Sequence, residues 1–179
     1  VCSSDLVPRT VKLVIYTSFI RPVLEYGAVL FYNCTALLSE MMEQVQRQAA
    51  LTITGAYTHT SHTQLLRETG LTLLSVRRTI SKVILFFKIL KDKTPPYMKT
   101  LIPETTGARY NTRGAENLRL PRISKNYFLK SFIPSGVRLW NNLSQQTKSI
   151  SEIDDFKTAI KNLYGTNALY KPYLWGHTK

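Results

Sequence analysis

Cysteine is almost missing from this 179-residue chain, which excludes a disulfide framework. Cys2 and Cys34 form no Cys-x-x-Cys pair, so a reducing compartment is the default. Long apolar runs are also missing. The longest, Val83 to Phe87, is ended by Lys88 and is far too short to span a bilayer. No secretory signal is recognisable, and no membrane partner is expected. Histidine is scarce, with His59 and His62 three apart and His177 near the end. Zinc-knuckle spacing is absent, and loop polar residues account for these side chains better than a metal site does. No Ser/His/Asp arrangement can be argued from position. Internal repeats and low-complexity tracts are lacking. Acidic residues are few, 11 against 24 Lys and Arg, giving a formal charge of +13 and an isoelectric point near 9.9. Such an excess implies a polyanionic partner, most often nucleic acid.

What is present argues for a folded chain. The 44% hydrophobic and 11% aromatic content supports a core, and the length suits one domain or one domain plus a tail. The charge is unevenly placed. Residues 1–76 carry five basic and five acidic side chains, residues 77–99 seven and one, and residues 105–148 eight and one. The middle of the chain is therefore the electrostatic footprint. The first six residues, Val1 to Leu6, read as the translation of a sequencing adaptor and are set aside from fold reasoning.

Most of the chain has helical signals. Pro8 suits a first turn, and a helix is expected from there through Ile20, with Val11, Val14 or Ile15, Ser18 and Phe19 on one face. Pro22 should kink or restart it, and a second segment runs from Val23 toward Tyr32. Either Thr35 or Ser39 caps a helix carrying Leu38, Met41, Met42, Val45, Ala49 and Ile53, ended by Gly55 in the left-handed region. Ser61 to Gln64 has the form of a capping box, and the helix behind it ends at Gly70. Thr72 or Ser75 opens a longer helix to about Leu90, with an apolar stripe of Val76, Ile80, Val83, Ile84, Phe87 and Leu90. Pro95-Pro96 stops it, and Tyr97 to Leu101 adds a turn.

The second half is less regular. Residues 103–117 read as a long loop, of a length that suggests function or mobility. Leu118 to Leu120 alternates like an edge strand limited by Pro121, with Tyr127 to Ile133 as its hairpin partner. Pro134 starts a helix with Val137, Leu139 and Trp140, and Trp140 is expected to anchor the hydrophobic centre. Ser151 to Asp154 caps a last helix lined by Phe156, Ile160 and Leu163 and closed by Gly165. The tail holding Tyr170, Tyr173 and Trp175 either docks or is loose.

A set of motifs then occurs in a recognisable order. Tyr16 to Pro22 is followed by Glu25-Tyr26-Gly27, Gln44 to Ala49, Ile53 to Tyr57, Leu65 to Leu71 and Arg77-Arg78. Phe87-Lys88-Ile89, Pro95-Pro96-Tyr97, Tyr110 to Arg113, Ser131 to Pro134, Trp140 to Leu143 and Phe156-Lys157 come after them. Across roughly residues 10–163 this order resembles the thumb and downstream region of non-LTR retrotransposon reverse transcriptases of the jockey and LINE type. Phe31 stands where that family often has Trp, and Ser144 where Pro is usual, as in a divergent or decaying copy.

The resemblance implies a mainly α fold. A helical thumb-like bundle over residues 7–101 would be followed by a small basic α+β appendage with a short hairpin over 102–165, then a tail over 166–179. It implies a piece of an RNA-directed DNA polymerase, a nuclear and cytoplasmic element protein, that holds template and primer without copying. The parent polymerase would need Mg2+, whereas no cofactor is expected for this chain. Polymerase chemistry takes carboxylates that hold two divalent cations, presented in this family on an aromatic-x-Asp-Asp turn. The one adjacent pair here, Asp154-Asp155, has no aromatic two residues before it and reads as acids in a helix's first turn.

The candidate contacts with nucleic acid are Arg77, Arg78, Lys82, Lys88, Lys91, Arg109, Arg113, Arg119, Arg122, Lys125 and Lys130, interleaved in part with Tyr110, Tyr127 and Phe128. The expected partners are an RNA template, an RNA–DNA hybrid and the palm and fingers of the parent polymerase. Two other readings stand beside this one. The chain could be a helical module whose main partner is protein, such as that palm, or a genomic relic without a function of its own.

Overall fold

The computed structural model describes residues 7–30, 35–105, 117–120, 128 and 131–167. Their architecture is mainly helical, as expected. Among them there is no strand; Thr105 and Leu118 form an isolated antiparallel bridge. The described residues divide into two compact units, one comprising 7–78 and 164–167 and the other Thr79–Leu163.

In the first unit, helix α1 spans Arg9–Ile15 and α2 spans Arg21–Glu25, with a π-helical turn at Tyr16–Ile20 between them. The wide turn absorbs Pro22, which cannot donate to the carbonyl four residues back. Arg21 N–H instead bonds to Tyr16 O, five residues back. Helix α3 spans Ala36–Thr54. Thr35 accepts from Leu38 N–H at its start, and Gly55 ends it with φ of 68°. Helix α4 spans His62–Thr69, with Ser61 accepting from Gln64 N–H and Gly70 at φ of 68°. These caps stand where the sequence put them, because each is a local hydrogen bond or a backbone angle that only certain residues make readily.

The core of this unit joins Tyr16, Ile53, Leu66 and Leu71, with Leu13, Leu24, Ala49 and Leu73 packed against them. A buried polar chain runs through it. Tyr16 Oη donates to Gln46 Oε1 at 2.9 Å, and Gln46 Nε2 donates to Thr72 O at 3.0 Å. Burial pushes the Tyr16 phenol up to about 12. The face expected from Val11, Ile15 and Phe19 is not the buried one: all three are exposed, Phe19 to 71%, and the chain turns Leu13, Tyr16 and Leu24 inward. Leu38, Met41 and Val45 on α3 are exposed too.

Helix α5 spans Leu74–Leu90 and contributes its first residues to the first unit and the rest to the second. Its end is a left-handed residue, Asp92 at φ of 56°, with Lys93 N–H bonded to Lys88 O at 2.9 Å. A short helix α6 covers Pro96–Lys99. Helix α7 spans Phe132–Asn141, α8 covers Gln145–Lys148 and α9 spans Ile153–Asn167. Helix α9 thus runs past Gly165, where closure was expected. Phe132 and Ile133, placed by the sequence in a hairpin strand, lie in α7.

An aromatic cluster holds the second unit. Phe87 stacks on Phe156 with centroids 4.0 Å apart, and Trp140 sits 6.1 to 6.4 Å from Phe86, Phe87 and Phe156. Trp140 is the buried anchor that the sequence suggested. Gly136 is required here, since a Cβ on it would lie 2.6 Å from the Phe86 ring. Asn141 supplies what a neighbouring strand would: its side chain accepts from Leu118 N–H and donates to Leu118 O, both at 3.0 Å.

Candidate nucleic-acid interface

Of the eleven candidate contacts, Arg109, Arg113, Arg122, Lys125 and Lys130 lie outside the described residues, as do Tyr110 and Tyr127. The other six divide into two groups, those engaged by other side chains of the fold and those that face solvent.

Arg78 and Lys82 are buried, and Arg77 is half-buried in an ion pair. Arg77 forms a two-pronged ion pair with Glu25, which raises its guanidinium above the ordinary value, chiefly through that hydrogen bond. The Glu25 of the Glu-Tyr-Gly motif thereby ties α2 to the start of α5. Arg78 is 3% exposed and donates to Ser39 Oγ at 2.6 Å, with Met42 Sδ at 3.8 Å. Lys82 is fully buried. Its ammonium donates to Ser135 Oγ and lies 5.6 Å from the Phe132 ring centre. Burial brings it down from 10.5 to about 7. The inward row of α5 is thus Arg78, Lys82, Phe86 and Ile89 beside Val83 and Phe87. The sequence stripe found Val83 and Phe87 and missed the rest. An i, i+4 row that runs Arg78, Lys82, Phe86 was the available signal.

Lys88, Lys91 and Arg119 turn outward. Lys88 is half-buried, and Lys91 and Arg119 are exposed. Lys91 sits 5.9 Å from the Phe87 ring centre, so the buried ring beneath it supports its stem. Arg119 N–H is bonded to Glu104 O at 3.0 Å, and Leu118 beside it is held by Asn141.

Further cations lie at the surface: Lys93 and Lys99 belong to the basic middle read from the sequence, whereas Lys157, Lys161 and Arg138 were not read as contacts. Lys93 and Lys161 are exposed, and Lys157 donates to Asp154 at 2.8 Å. The Asp154 carboxyl is held below its ordinary range, first by the Lys157 hydrogen bond and further by Lys93 and Lys161. Asp154 and Asp155 occupy the first turn of α9, the role read for them from sequence. Lys99 pairs with Asp92, and Arg138 is exposed on α7. The stretch from Thr79 to Leu163 carries fifteen Lys and Arg against six Asp and Glu.

The two central histidines differ. His59 is exposed. His62 borders a recess of about 230 Å³ formed with Glu40, Glu43, Gln44 and Arg47. Its Nε2 has no hydrogen-bond partner, and burial lowers its pKa, with Glu43 opposing and Arg47 reinforcing the shift. Among the described residues, no group of three or more His, Cys, Asp or Glu is placed to hold a metal ion. No described helix is long and apolar enough to cross a membrane.

No protein-family model matches the chain, and no curated protein or solved structure is significantly similar to it.

Proposed function

We propose that this chain is a non-catalytic part of a non-LTR retrotransposon RNA-directed DNA polymerase, one that grips the backbone of an RNA template paired with DNA. The ordered motif set supports the parentage. The single observation that carries the binding role is the outward row at the end of α5. Lys88, Lys91 and Lys93 stand on or just past the end of a helix that is anchored by the Phe87, Trp140 and Phe156 rings, with Lys91 lying over the Phe87 ring itself. Cations held on a rigid support can meet phosphates spaced along a groove without reading bases.

The test is binding to two RNA–DNA hybrids of unrelated sequence at low salt. Affinities within about threefold of each other support a backbone grip. A strong preference for one sequence, or no binding to either, overturns it.

A second reading has its own support. Val11, Ile15, Phe19 and Val23 follow helical spacing and are exposed, Val23 to 75%, and Leu38, Met41 and Val45 are exposed on α3. Apolar surface of this kind suits a protein partner such as the polymerase's palm. Phe19→Ser with Val23→Ser should leave the unfolding midpoint nearly unchanged while lowering binding of an apolar dye. A large loss of stability would show instead that these side chains serve the chain's own core.

A further inference from the structure

We propose that Lys93, Lys157 and Lys161 form a second phosphate contact, preset by Asp154, beside the row at the end of α5. The inference rests on the backbone-gripping reading and adds two α9 lysines, Lys157 and Lys161, that the sequence did not single out as contacts.

Three observations meet here. Lys157 and Lys161 are one turn apart on α9, and Asp154 is one turn before Lys157, so the three occupy a single face. Lys157 and Asp154 are hydrogen-bonded at 2.8 Å, with Asp154 largely exposed. The Phe87–Phe156 stack, at 4.0 Å and 13°, fixes α9 against the last turns of α5, the helix that leads into Lys93. Lys93 and Lys161 are exposed, and both are near enough to Asp154 to help hold its carboxyl ionised.

Three ammonium groups, one hydrogen-bonded to Asp154 and two within electrostatic reach of it, are in excess over this one carboxylate. Asp154 limits their mutual repulsion while no ligand is bound. A backbone phosphate brings a further negative charge and accepts hydrogen bonds in the same way, so it can take over Lys93 and Lys161 and compete for Lys157. Asp92, Glu152 and Asp155 are the other acids nearby in sequence. Asp92 is paired with Lys99, which leaves Glu152 and Asp155 as the groups that temper the field.

The experiment measures binding of one RNA–DNA hybrid across a salt series by the wild-type chain and three variants. Lys93→Ala with Lys161→Ala should weaken binding roughly three- to tenfold and make the log–log salt slope shallower by about two. Asp154→Asn should tighten binding several-fold. Arg67→Ala, an exposed cation on α4, controls for net charge and should alter the slope by clearly less than one. Unfolding midpoints close to wild type confirm that the variants fold, as expected for exposed side chains. If the wild type binds and the double variant keeps its slope, the second contact is wrong and the broader reading stands. Weaker binding by Asp154→Asn removes the counter-ion role. No binding by the wild type overturns both.

Discussion

Replacing Lys82 by methionine distinguishes a core side chain from a phosphate contact. Lys82 is fully buried, with its ammonium on Ser135 Oγ and near the Phe132 ring. Burial lowers its proton affinity from 10.5 to about 7. At about 1.4 kcal/mol per tenfold change, that gap is worth roughly 4 kcal/mol at pH 7. The sign follows from which state holds the proton. The unfolded chain keeps it up to pH 10.5, whereas the folded chain favours the neutral amine. The contribution of Lys82 to stability is therefore greatest above pH 10.5 and falls as pH drops toward about 7, where the loss levels off. Methionine keeps the length and carries no charge. Ser135 Oγ retains bonds to Ser131 O and Phe132 O, so no buried hydroxyl is left orphaned. Lys82→Met should therefore raise stability at pH 7 by about 1–3 kcal/mol, less than the full gap because the ammonium's own contacts are lost. The gain should shrink toward zero near pH 10. Urea unfolding followed by circular dichroism at the two pH values measures it, and hybrid binding should be unchanged. Lower stability at pH 7, an equal gain at both pH values or a clear loss of hybrid affinity would refute the reasoning.

Three further outcomes follow from the same structure. Gly136→Ala places a Cβ 2.6 Å from the ring of the fully buried Phe86, so strain should outweigh the helix-propensity gain and cost about 1–2 kcal/mol net in urea unfolding. Gln46→Leu strands the buried Tyr16 hydroxyl and Thr72 carbonyl and should cost about 2–4 kcal/mol, whereas Tyr16→Phe should cost about 1. His62 should titrate below the ordinary 6.5 by NMR. Its burial then favours the folded state above pH 6.5 and favours it less as pH falls through that value, and a midpoint above 6.5 would contradict this.

How far the sequence could be read depended on the range of the interactions involved. Ser61, Gly55 and Gly70 act within a turn of the chain, and each stands where it was read, whereas Pro95-Pro96, read as the stop of α5, opens α6 after left-handed Asp92 has already ended α5. Trp140 was legible because a large apolar ring has few stable places outside a core. Arg78 and Lys82 were read as surface cations because charge dominates their composition. What placed them inward was contact with Ser39 and Ser135, 39 and 53 residues distant in the chain. The exposed face of Val11, Ile15 and Phe19 misled in the opposite direction, since an apolar stripe does not say which of two faces the core takes. The hairpin failed at Phe132 and Ile133, which lie in α7, and a side chain, Asn141, bonds the backbone of Leu118; Tyr127, Leu129 and Lys130 of the expected strand lie outside the described residues. Lys157 and Lys161 were passed over because their region carries little net charge, and only folding joins them to Lys93.

Salt dependence of hybrid binding tests the central claim most directly. Filter binding between about 50 and 400 mM monovalent salt should give a straight log–log plot with a slope of about −3 or steeper, one cation released for nearly every phosphate neutralised. A flat plot, or no retained hybrid at the lowest salt, would contradict a cationic grip on the nucleic-acid backbone.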